Sequence, residues 1–176
     1  KKSEVFSFLR DQWRAMPSPE EIIFKLSEYQ DAFLDLVNGS NYQKHEKDTN
    51  TAFRNFFIFK APSSTYPFLV QLSNAMKNET ILKKDGLEVL SIIESFLVRR
   101  AVCGHEPTGL HAVFKRLWKD CNGQPTALLV KEAISSHKTV VWPDNTHFQE
   151  AIKTRDLYNT GIIAFLIFQF EVSLKG

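Results

Sequence analysis

The stretch Asp85–Gly104 sets the terms for the rest of the chain. Asp85-Gly86-Leu87-Glu88 has the spacing of a capping box, and Gly104 is placed to close a helix in the left-handed conformation. On a wheel of about 100° per residue, Val89, Leu90, Ile93, Phe96, Leu97 and Ala101 form a broad apolar arc. Apolar residues occur nearly all round this helix, which predicts that it is buried near the middle of a domain. Glu94 and Arg100 fall inside the arc, whereas Glu88, Ser95 and Arg99 fall on the polar side. Glu94 and Arg100 point in different directions, so each is expected to find a partner on another helix, because an unpaired buried charge is costly. Glu171, Asp156 and Glu28 are the candidates for Arg100, which makes Glu94, Arg100 and Glu171 structural ion-pair residues. Phosphate binding by Arg99-Arg100 is the functional alternative.

Helical punctuation continues on both sides. Lys1–Ala15 reads as a helix with Val5, Phe6, Leu9 and Trp13 on one stripe. Ser18 as N-cap, Pro19 at the first helical position and Glu21 start a second helix, which carries Ile22, Leu26, Tyr29, Phe33, Leu36 and Val37 to a stop at Asn38-Gly39. Ser40–Asn50 reads as a polar loop in which His45 is a weak metal or phosphate candidate. Phe53, Phe56, Phe57 and Phe59 read as core, with a stacking platform for bases as the functional alternative. Ser64 or Thr65 is available to cap the helix bearing Phe68, Leu69, Leu72, Ala75 and Met76.

After Gly104, Pro107 and Gly109 mark a turn, Leu110–Cys121 an amphipathic helix and Asn122-Gly123 a second turn. Ala127–His137 is expected to be a helix with Leu128, Leu129, Ala133 and Ile134 inward. Thr139–Trp142 reads as an extended linker, Asp144 as the N-cap of a helix bearing Phe148, Ile152 and Leu157, and Gly161–Lys175 as a last, apolar helix. His147 lacks an acidic or Cys neighbour at ligand spacing, so no metal is expected there. The fold class is therefore all-α: an irregular multi-helix bundle of about eight or nine helices in a single domain over 1–176, with a possible division into 1–80 and 81–176.

Totals bound the function. Fifteen Phe against seven Gly favour packed helices over loops or disorder. A formal net charge of +2 neither demands nor excludes nucleic acid. Cys103 and Cys121 have no metal or redox spacing and read as reduced thiols of a cytoplasmic protein. No signal peptide is visible, and the longest apolar run, Gly161–Phe168, falls far short of the roughly 20 residues that span a bilayer. A chain that begins at Lys1 without Met and ends on an apolar helix is expected to be a fragment of a longer protein. From Arg99 to Asp120, five Lys/Arg stand against two acids, the most basic neighbourhood of the chain. Arg99, Lys115, Arg116 and Lys119 are thus the candidates for contact with a DNA backbone, an ordinary solvated face being the plainer alternative.

The run Ile92–Gly104, followed by Gly109-Leu110 and Val113-Phe114-Lys115-Arg116-Leu117, resembles the helical middle region of the GmrSD-type restriction family. Trp142-Pro143-Asp144 with Phe148 and Ile152, Leu157-Tyr158-Asn159-Thr160 before an apolar helix ending near Glu171, and the earlier Pro67–Leu72 fit the same region. Proteins of that family are modification-dependent restriction systems of bacteria and archaea. They carry an N-terminal ParB/sulfiredoxin-like domain with a DGQQR motif, associated with nucleotide hydrolysis, and a C-terminal HNH nuclease domain. This chain contains neither motif: Lys84-Asp85-Gly86 is only a cap, and His105, His111, His137 and His147 are scattered. The resemblance therefore implies no catalytic residue and no cofactor. It implies a helical connector that scaffolds the flanking nuclease domains of the same chain, with DNA contact through the 99–119 face. A protein–protein or homo-oligomerisation module is the second reading. An enzyme in its own right ranks last, because no nucleophile–base pair, metal cluster or phosphate loop is visible.

Overall fold

The computed structural model describes residues 10, 11, 13–15, 18–38 and 47–175. Among the described residues the chain is all-helical, with no strand. Nine helices are complete among the described residues: α1 (Pro19–Glu28), α2 (Gln30–Asn38), α3 (Lys47–Ile58), α4 (Tyr66–Lys77), α5 (Lys83–Cys103), α6 (Leu110–Asp120), α7 (Ala127–Ser135), α8 (Asn145–Thr154) and α9 (Ile163–Lys175). A short 3-10 turn, Ser63–Thr65, precedes α4. None of these helices is long and apolar enough to cross a membrane.

The 21-residue α5 is the axis of the bundle, roughly 30 Å long at 1.5 Å per residue. It packs against α3, α4, α7 and α8. Val89, Leu90, Ile93, Phe96, Leu97, Val98, Arg100 and Val102 are all buried, so its apolar arc is wider than the wheel suggests, although Ala101 is exposed. One continuous buried cluster runs from Leu36 to Phe165 and draws on residues from both sides of position 80. Phe53, Phe56 and Phe59 belong to it, so the phenylalanine run is core.

Several caps form as their residues dictate. Ser18 Oγ accepts from the Glu21 N–H, and Asp144 Oδ1 accepts from the His147 N–H at 2.8 Å. Gly104 ends α5 with φ at 76°, where a residue with a Cβ would be strained.

Other expectations are corrected. The second helix is two: α1 stops at Tyr29, where Ser27 Oγ donates back to the Phe24 carbonyl at 2.7 Å and the Tyr29 N–H tightens onto Leu26 O. No residue of α1 is buried, and Leu26, Tyr29 and Phe33 lie exposed while Ala32 and Leu36 enter the core. Lys47–Asn50, expected in the polar loop, belong to α3; the rest of that stretch, His45 included, and Val5, Phe6 and Leu9 lie outside the described residues. Helix α5 begins at Lys83 with Leu82 as N-cap, so Asp85 sits in the first turn and faces the helix dipole without capping it. Thr65 does not cap α4; its hydroxyl donates to Pro62 O. In α7, which Thr126 caps, Val130 and Ile134 face the core while Leu128 and Leu129 are exposed, because the helix packs on α5 through the other face.

Candidate functional site

The C-terminal end of α5 gathers most of the buried cationic chemistry. Arg100 is buried, with 5% of its surface exposed. It donates through Nη1 to Val141 O at 2.8 Å and through Nη2 to Glu106 O at 2.6 Å, with its guanidinium over the Phe96 ring. It thereby ties the 139–142 linker to the loop that follows α5. Burial lowers its pKa, but a guanidinium stays charged at neutral pH.

The expected ion pairs do not form. Glu94 faces α3 and accepts from Asn55 Nδ2 at 2.8 Å, Glu171 lies exposed on α9, and Asp156 accepts from the Tyr158 N–H. Glu28 is exposed on α1, which packs on α2. Peptide carbonyls beyond the helix ends have free lone pairs, and two of them serve Arg100 where no carboxylate reaches. Burial raises the Glu94 pKa, and the Asn55 hydrogen bond offsets this in part.

Arg99 is a strut as well. Its Nε donates to Ser95 Oγ at 3.3 Å, Nη1 to Pro143 O at 3.4 Å and Nη2 to Asn145 Oδ1 at 2.7 Å, while its cation lies 4.9 Å from the centre of the Phe148 ring. All three guanidinium nitrogens are engaged, Nε with its own helix and the other two with the start of α8. Arg99 therefore leaves the set of free phosphate contacts.

A third arginine was not singled out in the sequence. Arg155, just past α8, donates through Nη1 to Ala101 O and Val102 O and so caps the C-terminus of α5. Its signal lies in Gly104, whose missing side chain leaves the space that the guanidinium fills.

Two histidines and a thiol border this cluster. His105 and His147 meet edge-on with ring centroids 5.7 Å apart. Burial, then the charges of Arg100, His147 and Arg155, pushes the His105 pKa down. Burial raises the Cys103 thiol against the opposing pull of Arg155 and Arg99, and burial with Asp120 raises Cys121 to about 11. Both cysteines are free and stay protonated at neutral pH. Among the described residues no group of three or more His, Cys, Asp or Glu could hold a metal ion.

The remaining DNA candidates share α6. Leu110, Val113, Phe114 and Leu117 anchor that helix in the core, which turns Lys115, Arg116 and Lys119 to the surface. Lys115 and Lys119 stand one turn apart on the same face. Arg116 pairs with Asp120 at 3.6 Å, an exposed pair of little energetic weight. An open groove of about 560 Å³ separates α6 from α7 and mixes Arg116, His137 and Lys138 with Asp120 and Glu132. The Lys115–Lys119 ridge therefore suits a phosphate backbone better than the groove does.

A different surface is apolar. Helix α9 seats Phe165 against Phe59 and places Phe168 under Arg54, but leaves Ile167, Phe170, Val172 and Leu174 exposed.

No protein-family model, curated protein or solved structure matches the chain.

Proposed function

We propose that this chain is a non-catalytic helical scaffold of a GmrSD-like restriction system, a cytoplasmic phage-defence protein. It sets the geometry of the flanking nuclease domains, and α6 adds sequence-independent contacts to the DNA backbone. The observation that carries the DNA part is the Lys115–Arg116–Lys119 ridge, held on a helix whose opposite face is locked into the core. Phosphate contacts of this kind position a protein on a duplex without reading its sequence.

Fluorescence anisotropy with a short duplex, titrated across salt concentrations, tests this. Two to three phosphate contacts give a slope of log K against log salt of about −2 to −3. Reversing Lys115, Arg116 and Lys119 to Glu should abolish that slope, whereas Lys131→Glu on α7 should leave it. Absence of binding at low salt, or binding indifferent to the reversal, overturns DNA contact through α6. Nuclease or nucleotide hydrolysis by the chain alone overturns the non-catalytic reading.

The exposed apolar side chains of α9 favour a second reading, a protein–protein or oligomerisation module. A mass in solution that rises with concentration, and falls back for Phe170→Glu, supports it.

A further inference from the structure

A pocket of about 160 Å³ lies beside the C-terminal turns of α5, apart from the α6 ridge. Its described lining joins three basic side chains, Lys60, Arg100 and His105, to the apolar walls of Phe59, Leu97 and Leu110, and includes no carboxylate. The basic groups come from the turn after α3, from α5 and from the loop after α5. Two of them retain unmet hydrogen-bonding capacity: Arg100 Nε and His105 Nε2 are buried without a partner. Buried polar groups are seldom left unpaired unless something completes them.

Lys60 adds a separate observation. It closes α3 in the left-handed conformation, with φ at 54°, its N–H bonded to Phe57 O and the Ala61 N–H bonded to Phe56 O. Glycine is the usual residue in such a turn. Here a lysine occupies it and lines the pocket. The negative end of α5 is already neutralised by Arg155 on the carbonyls of Ala101 and Val102, so the helix dipole offers little opposition to an anion nearby.

We propose that this pocket binds a small organic carboxylate with a compact apolar body about the size of one aromatic ring. The volume fits, since an apolar cavity of about 150 Å³ takes up benzene. The walls match the ring, the cations of Lys60 and Arg100 match the carboxylate, and the unpartnered imidazole nitrogen of His105 adds a hydrogen-bonding group.

Sodium benzoate is the probe, with benzyl alcohol as the uncharged match and inorganic phosphate as the anion without a body. Titration followed by ¹⁵N–¹H NMR should show saturable shifts at Lys60, Ala101 and His105, with Kd on the order of 1 mM or below, as suits so small a ligand. Benzyl alcohol and phosphate should each bind at least about tenfold more weakly, the loss of one charge-assisted contact or of the buried ring. Lys60→Glu, at an exposed position, should weaken benzoate several-fold without altering the ligand-free spectrum elsewhere. Ala101→Phe, which puts bulk at the pocket wall from an exposed helix position, should do the same. The proposal is overturned if benzoate shifts fail to saturate, if phosphate binds as well as benzoate, or if both folded variants bind like the parent.

Discussion

The guanidinium of Arg155 occupies the space that a side chain at Gly104 would need: a Cβ built there meets Arg155 Cζ at 2.5 Å. One residue has been left bare so that another, about fifty positions later, can reach the open carbonyls of α5. Gly104→Ala therefore carries two penalties, the left-handed backbone and the displaced cap. It should cost about 1–3 kcal/mol in urea unfolding. Arg155→Met removes the cap alone and should cost less. Equal stability of Gly104→Ala and the parent would contradict this relationship.

Arg100 joins Val141 to Glu106 through two carbonyls. Arg100→Met should lower stability by about 1–3 kcal/mol, the usual worth of hydrogen bonds from a charged donor. Arg100→Lys should fall between, since an ammonium lacks the planar fork that spans both acceptors. Trp142 packs at a tilt against Phe96, over which Arg100 also lies, so loosening of the linker should also shift its fluorescence.

Glu94 is held above its ordinary value near 4.5, first by burial. The folded state then binds its proton more tightly than the unfolded chain does. The resulting stabilisation is full below the unfolded pKa and disappears as pH rises through the folded one. Glu94→Gln keeps an acceptor for Asn55 and carries no charge. Its stability relative to the parent should rise between pH 4 and pH 7, as followed by thermal unfolding; a difference that is flat across this range would count against the burial cost.

His105 shifts the other way, below its usual 6.5, because burial and then Arg100, His147 and Arg155 oppose its charge. Its contribution is present above the unfolded pKa and is lost as pH falls through the folded value. Below about pH 6.5 the parent should lose stability that His105→Gln retains. NMR titration of the imidazole supplies the direct check, and a midpoint above that of a free histidine would contradict it.

Much of this could be read from the residues. The central place of α5 follows from apolar side chains spread nearly all round one helix, and Ser18, Gly104 and Asp144 announce their caps by type and spacing. Other features depend on distant partners. Arg99 looks outward on its own wheel, yet Pro143, Asn145 and Phe148 arrive more than forty positions later to cover it. The break at Tyr29 has no glycine or proline to mark it, and arises where Ser27 bonds its own backbone. Leu128 and Leu129 mislead because a nine-residue helix needs few inward positions, and the contact with α5 decides which they are. On the candidate surface, Lys115, Arg116 and Lys119 follow from α6 periodicity alone, whereas the pocket beside Lys60 requires three segments that local pattern cannot join.

The amide of Asn55 donates to Glu94 on α5 and accepts from Gln169 on α9 at 3.3 Å. An amide has two unlike ends, and turning it over would set oxygen against carboxylate and nitrogen against nitrogen. Glu94, which can only accept, thus settles which end of Asn55 it meets, and Gln169 answers the oxygen left over. The central helix acts on the terminal one by choosing between two orientations of a single side chain, and a chain lacking α9 would keep that choice but leave the Asn55 oxygen without its Gln169 donor.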